Sequence, residues 1–423
     1  MSIQRDLKDQ AIKNNPINAF NLITNTPPFP LVEFGSSGMR TRVNDLQVFN
    51  GFVNNVWLDP MTGGWNNMLN TGGSIDFWLR EGMYDIIDKV TLKLTLTNTS
   101  AAAAVYPNML QLFQRISVAC NQGSDLLSQY DGDYLFCMTS TYGNVEWALK
   151  SQYLNTNQQW QNNASGLPAG ASATYYIPFT GSALNQIKLN MKYIKGDVRV
   201  KFELRPWTTF GQSGTAPQIT TCGLILNQTN LDAGDMELKR AVYKTINGVL
   251  PPPIQYRYLD QLYFSNGGVA MVPSNKYTYV LNSIRGMVSH LYFFLRPAGA
   301  TGNNLNAFQN IASFDITDSN GTSIIQWNED AAFNLSNEYP DFFPDNALTS
   351  YLPLYTYSFA TSPKDNYAYG TQSGYWTFTN YEKIVITTPS TLVSGNYELV
   401  VYAAKYCNVF ETDGLIQVKN GAV

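Results

Sequence analysis

The chain has 423 residues, long enough for two large domains, and its 27 basic and 31 acidic side chains leave a net charge of −4. Charged residues make up only 14% of it, against about 25% in an average protein, while aromatics reach 13%. Polarity therefore rests on amides and hydroxyls. With no long basic run, nothing marks a dedicated nucleic-acid-binding domain, and no uncharged stretch of apolar residues is long enough for a membrane-spanning helix.

Residues 1–30 differ from the rest. Ser2 to Lys13 can form a short helix with Ile3, Leu7 and Ala11 on one stripe and Arg5, Asp6, Lys8, Asp9 and Lys13 elsewhere, before Pro16 and the Pro27-Pro28-Phe29-Pro30 run end regular structure. We read this as an N-terminal arm. Its first residues lack the charged-then-apolar pattern of a secretory leader, so synthesis in the cytoplasm is expected. In so Asn-rich a chain the five Asn-X-Ser/Thr sequons carry no inference of a glycan.

Beyond the arm, apolar and polar residues alternate in short runs punctuated by Gly, Asn and Pro, the pattern of half-buried antiparallel strands. Val90, Leu92, Leu94 and Leu96 point one way and Thr91, Lys93, Thr95 and Thr97 the other. Val198, Val200, Phe202 and Leu204 alternate likewise with Arg199, Lys201 and Glu203. Further strands are expected over 47–58, 174–179, 256–264, 277–284, 288–295, 384–388 and 397–403. Helical periodicity is confined to the arm and 143–153, so the chain is read as all-β. Long polar, aromatic segments are expected as loops over 137–172 and 329–374, too poor in charge for solvated linkers and suited to interfaces.

Asn247-Gly248-Val249-Leu250-Pro251-Pro252-Pro253 interrupts the pattern with a turn followed by three residues that cannot donate to a sheet. The reading is a stiff linker over 247–255 between β-domains at 31–246 and 256–423. The domains look like copies. Phe113-Gln114-Arg115-Ile116 leads through Asn121-Gln122-Gly123 to Leu126-Leu127, and Phe308-Gln309-Asn310-Ile311 leads through Asp318-Ser319-Asn320-Gly321 to Ile324-Ile325. A Gly-led strand, Gly196 to Leu204 or Gly395 to Ala403, is read as closing each copy.

Sites of chemistry are not evident. Cys120, Cys137, Cys222 and Cys407 are too scattered for a zinc site and are read as free thiols. His290, the only histidine, lies on an expected strand without a GxSxG partner and is read as a packed side chain. Asp315, Asp318 and Asn320 fail the spacing of a calcium loop and fit a plain hairpin turn. Glu203 is read as a solvated carboxylate. Trp57, Trp65, Trp78, Trp147, Trp160 and Trp376 are expected mostly in cores or interfaces, with a sugar-stacking platform as the alternative. No catalytic, cofactor-binding or metal-binding residue is assigned.

Two tandem β-domains, paired hairpins at 113–131 and 308–328, the Pro251–Pro253 joint and a preceding arm resemble the double jelly-roll major capsid proteins of icosahedral viruses. That family includes adenovirus hexon and the coat proteins of membrane-containing phages and large DNA viruses. The resemblance implies two eight-stranded jelly-roll β-sandwiches with a short helical arm and long inter-strand loops that form outward towers. It also implies a pseudo-hexagonal homotrimer in a virion shell, without catalysis or cofactor. Its partners are copies of itself, neighbouring capsomers, minor capsid or vertex proteins and an internal membrane, with no sequence-specific nucleic acid. Arg5, Lys8 and Lys13 are the candidates for contact with the inner face or a neighbour, although Asp6 and Asp9 offset their charge. A carbohydrate-binding or carbohydrate-cleaving tandem sandwich and a viral receptor-binding spike remain the alternatives.

Overall fold

The computed structural model describes residues 51–84, 86–106, 109–141, 166–179, 182–186, 189–191, 194–210, 215–231, 254–301, 305–324, 353–360, 374–412 and 415–419. The arm, residues 247–253 of the linker and the expected helix at 143–153 lie outside them, as do most residues of the two long loops. In chain order the first half forms β1 (Gly51–Leu58), α1 (Met68–Thr71), β2 (Ser74–Leu79), β3 (Ile86–Thr97), β4 (Phe113–Cys120), β5 (Asp125–Tyr130), α2 (Gly132–Thr141), β6 (Ser172–Pro178), α3 (Ala183–Gln186), β7 (Leu189–Asn190), β8 (Val198–Leu204) and β9 (Gln218–Leu231). The second half forms β10 (Ile254–Ser265), β11 (Val269–Met271), β12 (Lys276–Val280), β13 (Arg285–Pro297), β14 (Ser313–Thr317), β15 (Tyr355–Ser358), β16 (Trp376–Thr379), β17 (Lys383–Thr387), β18 (Gly395–Thr412) and β19 (Leu415–Lys419).

The strands of the first half build two sheets, β1-β9-β3-β6 and β2-β8-β4-β5, with the two-residue β7 beside β3. Leaving β7 aside, successive strands alternate between the sheets except across the β4–β5 hairpin, which is jelly-roll winding. The second half repeats it. One sheet is β10-β18-β13-β15, extended by β11, β16 and β19, and the other is β12-β17-β14. After β14 the chain turns at Asp318, whose Oδ1 accepts from the Asn320 and Thr322 amides, and Ile324 N returns to Ile316 O at 2.7 Å.

Three expectations need correction. The Gly-led strands are not counterparts: Gly196 precedes β8, which by winding corresponds to β17, whereas Gly395 opens β18, the counterpart of β9. Period-two patterning looks the same in either sheet, so it cannot tell them apart. The loop expected from Cys137 instead begins inside α2, and within 329–374 the segment Tyr355–Ser358 is a strand paired with β13. Finally, Ile254 and Gln255, placed in the linker, are already paired in β10.

The first sandwich buries the residues its alternation predicted, Val90, Leu92, Leu94 and Leu96 with Val198, Val200, Phe202 and Leu204, and the expected strands of the second bury Leu291, Phe293, Leu295, Leu399 and Val401. Where the α2 helix begins, a Cβ on Gly132 would stand 2.2 Å from Leu110 O and 2.3 Å from Phe113 O. Both are backbone atoms that cannot swing aside. Gly132→Ala is expected to destabilise the protein by about 3 kcal/mol in chemical denaturation, the upper range for an overpacked core site.

Candidate functional site

Among the described residues, a dense set of specific contacts lies on the seam between the two sandwiches. β13 is buried without interruption from Val288 to Leu295. Its residues facing their own sandwich belong to the second core, while the alternate residues Tyr292 and Phe294, with Val400, Tyr402, Ala404 and Tyr406 of β18, belong to a core that is continuous with that of the first sandwich. A sheet buried on both faces must be apolar on both, which is why these strands read as continuous apolar runs. Tyr134 of α2 stacks on Tyr130 at 5.9 Å and meets the rings of Tyr292 and Tyr402 at 6.0 and 5.7 Å. Fully burying one such ring contributes about 2 kcal/mol, so a handful of them makes the seam a core and not a loose contact.

The free edge of β5 is closed by side chains of β10. Tyr258 Oη donates to Leu127 O, the Gln129 amide reaches Asp260 Oδ1 at a long 3.5 Å, and the Asp131 amide donates to Gln261 Oε1 at 2.6 Å. Gln261 Nε2 returns to Asp131 Oδ2 at 2.7 Å, and Tyr130 Oη donates to Leu259 O at 2.9 Å. An edge that would otherwise offer unpaired backbone groups to another chain is satisfied within this one. Farther along, Asn121 bonds the backbone of Ile416 in β19 through both its amide nitrogen and its oxygen, at 2.8 and 3.3 Å.

A buried polar hub sits beside this apolar contact. Asp133, in the first turn of α2, accepts on Oδ2 from Arg205 at 3.2 Å and from Arg296 at 3.3 Å, one guanidinium from each sandwich. Gln111 donates to its Oδ1 at 3.1 Å. Gln111 and Asn306 exchange amide hydrogen bonds of 2.8 and 2.9 Å, and in the sequence each lies two residues before a Phe-Gln pair. Arg296 also binds Glu398 Oε2 at 3.1 Å, and its guanidinium lies 5.4 Å from the Phe294 ring centroid. Burial opposes the charged form of Asp133, but the two arginines and the Gln111 hydrogen bond outweigh it and bring its pKa down to about 2. Asp260 lacks such partners. Burial pushes it up to about 6, although two backbone amides and Lys405 pull the other way.

The other expected site residues fall as follows. His290 is fully buried, and burial lowers its pKa to about 3. The four cysteines are free and buried, with burial raising Cys120 to about 11 and Cys222 and Cys407 to about 12, so none is a thiolate near neutral pH. Glu203 pairs with Lys201 at 2.5 Å, and Asp315 accepts from Ser323 Oγ at 2.6 Å. Trp57 is 43% exposed and Trp376 38%. Arg5, Lys8, Lys13, Trp147 and Trp160 lie outside the described residues.

No protein-family model and no curated protein sequence matches the chain. Solved structures do. The PBCV-1 virus capsid protein superposes with a TM-score of 0.66 at 14% identity, covering 88% of this chain and 98% of that one. The Faustovirus major capsid protein gives 0.56 at 10% identity, covering 85% and 90%, and a Sputnik virophage chain gives 0.52 at 11%, covering 88% and 89%. The fold is that of the viral double jelly-roll capsid proteins. In this double jelly roll the sequence reading missed every seam residue, although two signals were present: uninterrupted apolar runs such as Leu291-Tyr292-Phe293-Phe294-Leu295, and the extension of the Phe-Gln match backwards to Leu110-Gln111 and Leu305-Asn306.

Two outcomes follow for the seam. Asp133→Ala leaves two buried guanidinium groups without their carboxylate and is expected to lower unfolding free energy by about 3–5 kcal/mol in urea denaturation. Asp260 has the opposite sign. Its folded pKa lies above the ordinary carboxylate value, so its stabilising contribution is complete below about pH 4 and lost as pH rises through 6. Asp260→Asn should therefore match wild type near pH 4 and exceed it by about 1–3 kcal/mol at pH 7.5, measured by denaturant titration at both values.

Proposed function

We propose that the chain is a major capsid protein that assembles as homotrimers of pseudo-hexagonal outline into the icosahedral shell of a virion, with no catalytic role. The observation that carries this reading is the seam: two equivalent sandwiches locked into a single unit by a continuous core are the building block that a ring of six quasi-equivalent sandwiches from three chains requires. Low charge supports it, because many copies packed side by side would otherwise repel one another. The names of the fold's structural neighbours point the same way. Within this reading the arm at 1–30 reaches the inner face or a neighbouring capsomer through Arg5, Lys8 and Lys13. Residues 31–246 form the first sandwich and the chain from Ile254, where β10 begins, forms the second, joined by 247–253. Minor capsid or vertex proteins and an internal membrane are the further partners it proposes.

Native mass measurement and negative-stain imaging of the purified full chain test the proposal. The expected result is a species of three times the 47.2 kDa chain mass with a hexagonal outline. A chain that stays monomeric at all concentrations and shows a glycan-dependent thermal shift would favour the carbohydrate-binding alternative.

A further inference from the structure

The two sandwiches turn the chain after β4 and after β14, strands that correspond by winding, at different conformational cost. After β14 the turn through Asp318-Ser319-Asn320-Gly321 has one left-handed residue, Gly321 at φ +85°, where glycine meets no steric penalty. Between β4 and β5 there are three in succession: Asn121 at φ +52°, Gln122 at +62° and Gly123 at +77°. Two of these carry a Cβ that crowds the backbone in this region, and Gln122 lacks the short side chain that makes asparagine tolerable there. Strain of this kind persists only where the surrounding contacts over-determine it.

Here they come from both sandwiches. On the first, the Gln122 amide donates to Asp197 O at 3.1 Å, and Gly196 lies so close that a Cβ on it would stand 3.0 Å from Gln122 Cγ. A Cβ on Gly123 would stand 3.1 Å from the Trp78 ring of β2. On the second, the contact is β19. One flank of β18 is held by β10 from Val400 to Glu411, and the other by β13 as far as Lys405 and by β19 from Asn408 onward. Among the described residues no strand lies on the outer edge of β19. A single side chain stands there instead. Asn121 Oδ1 accepts from Ile416 N at 3.3 Å and its Nδ2 donates to Ile416 O at 2.8 Å, so one primary amide supplies the acceptor and the donor that a neighbouring strand would. Nδ2 also donates to Asp125 Oδ2 at 2.6 Å, and the Ser124 hydroxyl donates to Asn121 O at 2.7 Å, which fix the amide in place. The hydrogen bonds of Asp318 in the other turn stay within its own hairpin, which needs only its glycine.

We propose that β19 is a strap that closes across the seam from the second sandwich onto the first and opens without the seam core, with Asn121 as its catch and the strained β4–β5 turn as the support that aims it. The device works within one chain and is independent of self-assembly. Strap and catch belong to different sandwiches, so they meet only once the sandwiches have docked in register, and closure completes docking. A five-residue strand paired on one side, with Leu415 47% exposed and Ile416 buried in the core shared with the first sandwich, opens more readily than the doubly covered β13.

Hydrogen–deuterium exchange of the full-length protein, read by mass spectrometry on peptides covering 415–419 and 288–295, tests the strap. Asn121→Gly is the discriminating variant, because glycine relieves the left-handed backbone while removing the catch. The expected result is exchange in 415–419 at least tenfold faster than in wild type, with 288–295 of β13 unchanged. Gln122→Gly relieves the turn and keeps the catch, and is expected to raise the urea midpoint and leave exchange in 415–419 no faster than in wild type. Unchanged exchange of 415–419 in Asn121→Gly means that Asn121 is not a catch. Parallel acceleration of 288–295 means that β19 opens only with the seam, and a urea midpoint that fails to rise in Gln122→Gly means that the turn holds no strain. Any of these three overturns the proposal.

Discussion

The rest of the structure depends on burying both faces of one sheet. β13 and β18 supply one core with Leu291, Phe293, Leu399 and Val401 and a second with Tyr292, Phe294, Val400 and Tyr402, so the sheet is shared property of the two sandwiches. Once that sheet is apolar on both sides it cannot be left open to water, and the first sandwich has to be there to cover it. Hydrophobic area alone does not fix how the cover is oriented. That is the role of the polar contacts around its rim: the β10 side chains on the β5 edge, Asn121 on β19, and above all Asp133 between Arg205 and Arg296.

A buried ionic hub of this kind is weak evidence for stability as such, since desolvating three charges offsets most of what their attraction returns. Its value is in register. A carboxylate that must receive one guanidinium from each sandwich restricts the docking geometry, and the reciprocal Gln111–Asn306 amides add a second point of reference. Asp260 shows what happens in the same seam without such partners: its carboxyl is pushed towards the neutral form.

Much of the fold was legible in the sequence because a strand with one wet face writes its burial as alternation, as Val90 to Leu96 and Val198 to Leu204 do. The duplication was legible through the hairpin turns that follow the two Phe-Gln pairs, although Phe113 opens β4 and Phe308 lies ahead of β14. What alternation could not reveal was which sheet a strand joins, hence the mistaken pairing of Gly196 with Gly395, or how two sandwiches meet, since that depends on residues far apart in sequence such as Asp133 and Arg296. The helix at Gly132–Thr141 was hidden because its residues from Asp133 to Met138 are buried without interruption, so that stretch has no wet face to give it a period. The contrast between the runs in β13 and β18 and the alternation in β3 was the readable trace of the seam.

The central claim is that the two sandwiches are energetically one body, held by a core that does not stop at the boundary between repeats. Differential scanning calorimetry of the full chain tests it most directly. The account predicts a single transition whose calorimetric and van't Hoff enthalpies agree, because neither sandwich can lose its partner without exposing the shared sheet. Two separated transitions, each with the enthalpy of one sandwich, would contradict it.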